Sequence, residues 1–564
     1  MPVTKVKGSK NIELIILGVV FLAAIFLYTY KLDKIPSGLY IDEALPGYNA
    51  YSLLQTAKDE YGKFFPIVLR FYGSYNPPLF TYLTIPFIWL LGLNIFAVRF
   101  ASCLFGLFVA FPVYFLCRSF KVKNSKKLSI IAVLVLVISP WSFFYSRIGY
   151  EVSLGLMLFS LGVLFFFLGL KKNSYLVLAI LFFSLSTYAA YTERFLVPIF
   201  LIASLSVFRK FFFKNNVRNY IYKLLTIAFI LEIPHLTILF KPAFFPKSDL
   251  FFGALAYQAN ELDAVFPHWL SLSLSFAREF LSQYLSYFSP RNLFFLPDSD
   301  MQRSIPELSV FYFWMIVPYF VGLYALWKDR KSNWSKLVMI LLLTAPIPAA
   351  MTKDPFSTHR ALPLLFPMVL TIALGISKFG EIFSKKVFIP VFTLLIFMSL
   401  LLLWRSYFVF LPKEKAKYWG YGTKELAKVI ESTPNEHFVI DQARIKPIYI
   451  QLAFFLKYSP DKFQEISQEM NPGILENYYN NPEFNSHYQF ANLETRNVDW
   501  KEDIYKKQIL VGDSLTFSET QAKEHSLSKS FEIKDPLDEI VFVGYKTNPD
   551  AKCESDPLNI HCRK

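Results

Sequence analysis

Long apolar blocks separated by short basic clusters set the pattern of this chain. Residues 12–30, 128–145, 154–170, 308–327 and 387–404 are almost uncharged. Blocks of about 20 apolar residues match the roughly 30 Å hydrocarbon thickness of a bilayer. With the N-terminus inside, the pattern predicts eleven transmembrane helices, at 12–30, 96–117, 128–146, 152–170, 175–190, 195–208, 224–240, 308–327, 337–350, 361–377 and 387–404. The loops this places inside are basic: Arg118 to Lys127, Lys171 and Lys172, Arg209 to Lys223, Lys328 to Lys336, and Lys378 to Lys386. Their only acids are Asp329 and Glu381, which is the positive-inside pattern. A further block, 79–92, is short and carries Pro86. It reads as a helix in the outer interface or re-entering partway, because counting it as a span would turn every basic cluster outward. The first block follows Lys5, Lys7 and Lys10 with no small-residue cleavage site after it, so it reads as a retained signal-anchor.

The fold class expected is a polytopic α-helical membrane protein. Residues 1–404 form its transmembrane domain, with external loops at 31–95 and 241–307. From about Lys413 the composition turns polar. KELAKVIES has helical amphipathicity, HFVID, QILVG and IVFVGYK read as strands, and IYIQLAFFLKYS reads as a helix. Residues 405–564 are therefore expected to form a small external α/β domain. Cys553 and Cys562 lie in it, and a disulfide and two free thiols are both open there. Cys103 and Cys117 fall in an apolar block and read as small buried apolar residues.

The net charge of +15 would suggest nucleic acid in a soluble protein. Here the cations are dispersed between apolar blocks, so membrane lipids are the expected partner and nucleic acid is not. The external turns collect a different set. Asp42 and Glu43 follow the first helix. Arg147 and Glu151 lie in YSRIGYE, and Glu193 and Arg194 in YTERF. Lys353, Asp354, His359 and Arg360 lie in TKDPFSTHRALP. A single interfacial charge is usually a solvated end; four such turns on one face point to a site. The types suit a lipid-phosphate sugar donor. Cations at headgroup level hold the phosphate, a carboxylate takes the proton of an attacking hydroxyl, and a carboxylate could instead help hold a divalent metal. No His/Cys spacing reads as a zinc site, and the polar segment has no Gly-rich phosphate loop.

The first external segment carries SGLYIDEALPGYNA, Lys58-Asp59-Glu60-Tyr61-Gly62, Pro66, Asn76-Pro77-Pro78-Leu79 with Tyr82, Gly92 and Ala97-Val98-Arg99. This series resembles the protein O-mannosyltransferase-like GT-C glycosyltransferases, a superfamily that includes bacterial aminoarabinose transferases; YSRIGYE and HRALPLLFP look like motifs of the bacterial enzymes. The resemblance spans about residues 30–370, most specifically in its first third. It implies an inverting transferase of the plasma membrane, with a cytoplasmic N-terminus and an external C-terminal domain. The donor implied is a polyprenyl-phosphate monosaccharide and the acceptor a hydroxyl of a lipid, glycan or protein. Asp42 maps to the catalytic acid, with Glu43 beside it and Glu151 as second acid. Arg360 maps to a donor-phosphate ligand, joined by Arg147 and Lys353. Tyr40, Tyr82, Glu193 and Arg194 are substrate-binding candidates. Asp42 and Glu151 are the candidates for holding a metal, Mg or Mn, if one is used. Asn76 stands where many bacterial relatives have Lys, and Glu151 where many have Asp. Two other readings stay open: a flippase or transporter for a lipid-linked sugar, and an oligosaccharide ligase or polymerase using a polyprenyl-diphosphate donor. A transporter would show internal repeats and midplane charges, and neither is evident.

Overall fold

The computed structural model describes residues 7–120, 125–212, 215–245, 248–352, 354–443, 446–480, 485–555 and 559–562. It divides into two compact units. One comprises Met1–Tyr30, Pro77–Phe80 and Arg99–Tyr407; the other comprises Lys31–Asn76, Thr81–Val98 and Phe408–Lys564.

Each of the eleven stretches read as a span overlaps helical residues, with 96–117, 128–146 and 337–350 each divided between two helices. Among the described residues six helices are long and apolar enough to cross a membrane: Ile95–Ser119, Val152–Gly169, Tyr220–Thr237, Asn333–Ala350, Leu362–Ile382 and Lys385–Glu414. Ser125–Ile138 and Pro140–Ser146 make a seventh if taken as one span bent by 60°. The bend has a local cause. Pro140 lacks the N–H that would continue the ladder, and Ser139 starts the next segment as its N-cap, its side chain accepting from Ser142 N at 3.2 Å. Ile15–Thr29, Leu79–Leu91, Tyr175–Thr187 and Phe313–Lys328 are shorter apolar helices.

Residues 241–307, read from sequence as an external loop, contain two long helices, Ser248–Leu262 and His268–Ser286. In the second, Ser271, Ser275 and Gln283 are buried while Trp269, Leu272 and Phe276 are exposed. That is the reverse of the pattern a helix bathed in water presents.

The second unit holds the α/β elements read from the polar segment. A two-stranded hairpin, β1 (Leu69–Phe71) and β2 (Ser74–Asn76), lies within residues 31–95. The six-stranded sheet comprises β3 (Phe438–Ile440), β4 (Tyr488–Phe490), β5 (Leu493–Thr495), β6 (Ile509–Gly512), β7 (Ser528–Lys534) and β8 (Ile540–Lys546), in the order β4-β5-β3-β6-β8-β7. β3 runs parallel to β5 and β6, and the other pairs are antiparallel. Thr423–Ser432 and Tyr449–Phe455 are helices where the sequence called for them. Cys553 and Cys562 form a disulfide, and Cys103 and Cys117 are buried free thiols.

This unit is larger than residues 405–564 because residues 31–76 and 81–98 fold into the same core. Helix Ile41–Thr56 packs through Leu45 and Tyr48 with Tyr449, Phe454 and Phe463. Gly47 lets it approach: a Cβ there would lie 2.7 Å from the Phe454 ring. The loop that follows is tied by buried polar groups. Tyr478 donates its hydroxyl proton to Asp59 and accepts from Arg70 N at 2.8 Å. Asn49 accepts from Glu60 N at 2.8 Å and donates to Glu60 Oε1 at 3.4 Å. Tyr61 and Tyr449 share a hydroxyl contact at 3.4 Å. Gly62 sits at φ +88°, and a side chain there would meet the Gln468 amide.

Asp59 and Glu60 are both fully enclosed. Burial holds Asp59 up at about 6. Burial, reinforced by the Asp59 charge, pushes Glu60 up to about 8. An unfolded carboxyl gives up its proton near pH 4. The folded unit therefore holds these protons where the unfolded chain has lost them. Stability from this pair is fully present below about pH 4 and falls as pH rises through about 6 and 8. Thermal unfolding of the detergent-solubilised chain should thus occur at lower temperature at pH 8 than at pH 5.5. Glu60→Gln should flatten the upper part of that dependence; an unchanged pH profile in the variant would remove Glu60 as its source.

Candidate active site

Arg147 follows the short helix Pro140–Ser146 and is fully buried. Its guanidinium donates to three backbone carbonyls at the end of the first helix: Leu27 at 3.0 Å, Tyr28 at 2.6 Å and Tyr30 at 2.8 Å. It also lies over the Phe143 and Tyr407 rings, at 5.3 and 5.0 Å. These are the contacts of a C-terminal helix cap, which uses cationic donors to satisfy the last carbonyls.

Glu151 begins the helix Val152–Gly169 without capping it through its side chain. Its Oε1 lies 3.9 Å from His359 Nε2, and both side chains are partly exposed. His359 meets the Tyr150 ring edge-on at 5.7 Å. Glu193, in the first turn of Tyr191–Val207, is buried over Gly155, where a Cβ would lie 2.8 Å from Glu193 Oε1. Arg194, next along, faces a separate network. It donates to Phe244 O at 3.0 Å and lies 3.2 Å from His235 Nε2. His235 Nδ1 lies 2.7 Å from Glu232 Oε2, and its ring stacks on Tyr188 at 3.8 Å. Arg194 thus anchors to a backbone carbonyl and to a helix that carries a histidine and a glutamate.

Arg360 is one-quarter exposed and pairs through Nη1 with Asp354 Oδ2 at 2.6 Å and Thr352 Oγ1 at 3.0 Å. Of the three cations expected to hold phosphate, it keeps a partly exposed guanidinium, whereas Lys353 lies outside the described residues. The turn that carries Arg360 and His359 is fixed by groups the sequence reading passed over. Asp298 Oδ2 accepts from Thr358 Oγ1 at 2.6 Å and from Thr358 N at 3.1 Å. Tyr145 reaches the same hydroxyl at 2.7 Å, and Trp141 Nε1 donates to Thr358 O at 3.0 Å. Tyr287 accepts from Ser357 N at 3.0 Å. Burial holds the Asp298 carboxyl above its ordinary range, against the hydrogen bonds from Thr358 that favour its charge. An acid in a long polar stretch, PDSD, gave no signal that it would be enclosed.

In the second unit, Asp42 and Glu43 occupy the first turn of Ile41–Thr56. The N-cap is Tyr40. Glu43 is fully buried, and its Oε2 accepts from Tyr40 N at 3.3 Å. Asp42 stays partly exposed. Acids in a first turn are favoured by the helix dipole, but only Glu43 is enclosed. Tyr82 donates its hydroxyl to Pro66 O at 2.7 Å, which ties the helix Leu79–Leu91 to the loop before β1.

Among the described residues no three His, Cys, Asp or Glu side chains are gathered to hold a metal ion, and Asp42 and Glu151 belong to different units.

A family model described as dolichyl-phosphate-mannose-protein mannosyltransferase matches residues 75–238. No curated protein matches the chain. Among solved structures, the chain is similar to ArnT from Cupriavidus metallidurans in the apo state, with TM-score 0.54 and 12% identity over 94% of this chain and 97% of that one. It is similar to the same protein bound to undecaprenyl phosphate, with TM-score 0.55 and 13% identity over 94% and 98%. For the archaeal oligosaccharyltransferase AglB from Archaeoglobus fulgidus, in complex with an inhibitory peptide and a dolichol-phosphate, the TM-score is 0.49, with 13% identity over 96% and 74%. At these identities the likeness is one of fold.

Arg147→Ala would take the guanidinium donor from three carbonyls, that of Tyr28 in a buried bond and those of Leu27 and Tyr30 in part-buried ones. At about 1–3 kcal/mol for each unsatisfied buried group, partly relieved by relaxation, a loss of about 3 kcal/mol is expected. Thermal unfolding in detergent measures it, and a loss under about 1 kcal/mol would mean that the cap is dispensable.

Proposed function

We propose that this chain, which belongs by its fold to the GT-C superfamily of glycosyltransferases, moves a monosaccharide from a polyprenyl-phosphate carrier to an acceptor hydroxyl, with inversion, on the external membrane face. The fold shared with ArnT over almost the whole of both chains supports the reaction class. The ArnT structure with undecaprenyl phosphate supports the donor class. The basic loops between apolar blocks support the face. They also support a plasma-membrane location with a cytoplasmic N-terminus and an external C-terminal domain. The acceptor is a lipid, a glycan or a protein.

The observation that carries the residue assignment is the contrast within the acid pair. Glu43 is enclosed and bonded to backbone, while Asp42 keeps solvent access at the same helix start. Asp42 is the general base. The acceptor oxygen attacks the anomeric carbon from the side opposite the phosphate, and the hydroxyl proton passes to the Asp42 carboxylate. The bond from the anomeric carbon to the phosphate oxygen breaks, and the polyprenyl phosphate leaves carrying that electron pair. Its departure needs no acid, because the leaving group is already an anion that a guanidinium can neutralise. Arg360 supplies that charge by exchanging part of its contact with Asp354 for the phosphate. Glu151 and His359 border the same turn and contact the sugar.

Transfer of radiolabelled sugar from a panel of polyprenyl-phosphate monosaccharides to cell-envelope acceptors tests this. A general base contributes about 10²–10⁴-fold, so Asp42→Asn should lose at least about 100-fold in kcat with folding intact. Arg360→Ala should raise the apparent KM for donor by about tenfold, the cost of one charge-assisted contact. Near-normal transfer by Asp42→Asn would remove it from the mechanism, and an unchanged donor KM in Arg360→Ala would remove the phosphate role.

A further inference from the structure

We infer that Asp298 is a positioning residue for the donor site: through Thr358 it sets the turn that presents His359 and Arg360. This rests on the donor-phosphate role proposed above for Arg360.

The geometry is a relay of donors that ends on one carboxylate. Tyr145 O–H donates to Thr358 Oγ1, and Thr358 O–H donates to Asp298 Oδ2 at 2.6 Å. The Thr358 amide reaches the same oxygen at 3.1 Å. The other oxygen, Oδ1, accepts from Asp300 N at 2.9 Å. Both carboxylate oxygens are therefore answered by donors, and Asp298 is enclosed with 8% exposure while Thr358 has 2%. Asp300 lies beside it, and Arg303 pairs with Asp300 at 3.6 Å.

A group so saturated and enclosed is poorly placed to exchange protons with substrate. Its chemistry is to hold. It holds a turn whose residue 358 is buried from three directions, by Asp298, Tyr145 and Trp141. The next two residues are the partly exposed His359 and Arg360. A carboxylate is needed here because every facing group is a donor. An amide would have to turn its NH2 toward either Thr358 or Asp300 N, both of which donate.

The test measures donor KM and kcat separately in the labelled-transfer assay. Asp298→Asn and Thr358→Val should each raise the apparent donor KM by about tenfold and change kcat by less than about threefold, the signature of lost binding rather than lost chemistry. Thr358→Ser, which keeps the hydroxyl, should restore the wild-type KM. In the Arg360→Ala background, Asp298→Asn should add little, because it acts through that residue. If Asp298→Asn folds poorly, the Thr358 pair carries the comparison. Wild-type transfer with an unchanged donor KM in Thr358→Val, or full additivity with Arg360→Ala, overturns the positioning role alone. Absence of transfer from every polyprenyl-phosphate sugar by wild type overturns the donor reading, and the inference falls with it.

Discussion

The hold of Arg147 on the end of the first helix is the tie from which the polar side of the first unit is built. A helix leaves its last carbonyls without partners, and away from water those carbonyls must be answered from within the protein. Arg147 answers three of them from one guanidinium. The turn that carries it is thereby pinned, and Glu151, four residues on, starts the next helix from a fixed place. That helix in turn supplies Gly155, the gap over which Glu193 is buried. Three of the charged residues the sequence singled out, Arg147, Glu151 and Glu193, are placed by this succession.

The membrane pattern was legible because it depends on local composition. Apolar blocks gave helices at each expected stretch, and the amphipathic KELAKVIES and the strand-like HFVID, QILVG and IVFVGYK appear as the elements they suggested. Helix Ile41–Thr56 was not legible, because Pro46 and Gly47 argue against a helix. The glycine's purpose, close approach to Phe454, lies some 400 residues away in the chain. The joining of residues 31–76 and 81–98 to the polar C-terminal segment was hidden for the same reason. Its ties, Asp59 to Tyr478 and Glu60 through Tyr61 to Tyr449, pair groups too distant in sequence to suggest each other. The helices Ser248–Leu262 and His268–Ser286 escaped because serine, glutamine and charge dilute their hydropathy, although in the second Trp269, Leu272 and Phe276 are exposed.

At the candidate site, sequence identified types and missed environments. Arg147 and Arg360 look alike as arginines in turns between apolar blocks. Only the structure distinguishes them, one fully enclosed among carbonyls and one paired at the surface with Asp354 and Thr352. Asp298 shows the converse. Nothing in PDSD separates it from a solvated acid, yet it accepts from Thr358 and Asp300 inside the fold.

The carboxylates can then be ordered by what their oxygens already do. A base must offer a lone pair to a proton that arrives with the acceptor and must be reachable when it does. Asp298 has both oxygens met by donors and is enclosed. Glu43 accepts from the backbone and has no exposure. Glu193 is buried against Gly155, and a charge there would have to be held with little help from water. Asp42 and Glu151 keep partial access, and Glu151 lies 3.9 Å from the His359 imidazole. Asp42 sits in the first turn of a helix, where the positive end of the dipole favours a carboxylate as a charge awaiting a proton. Partial access and a place in the first turn of a helix are the two observations on which the proposed base role of Asp42 rests.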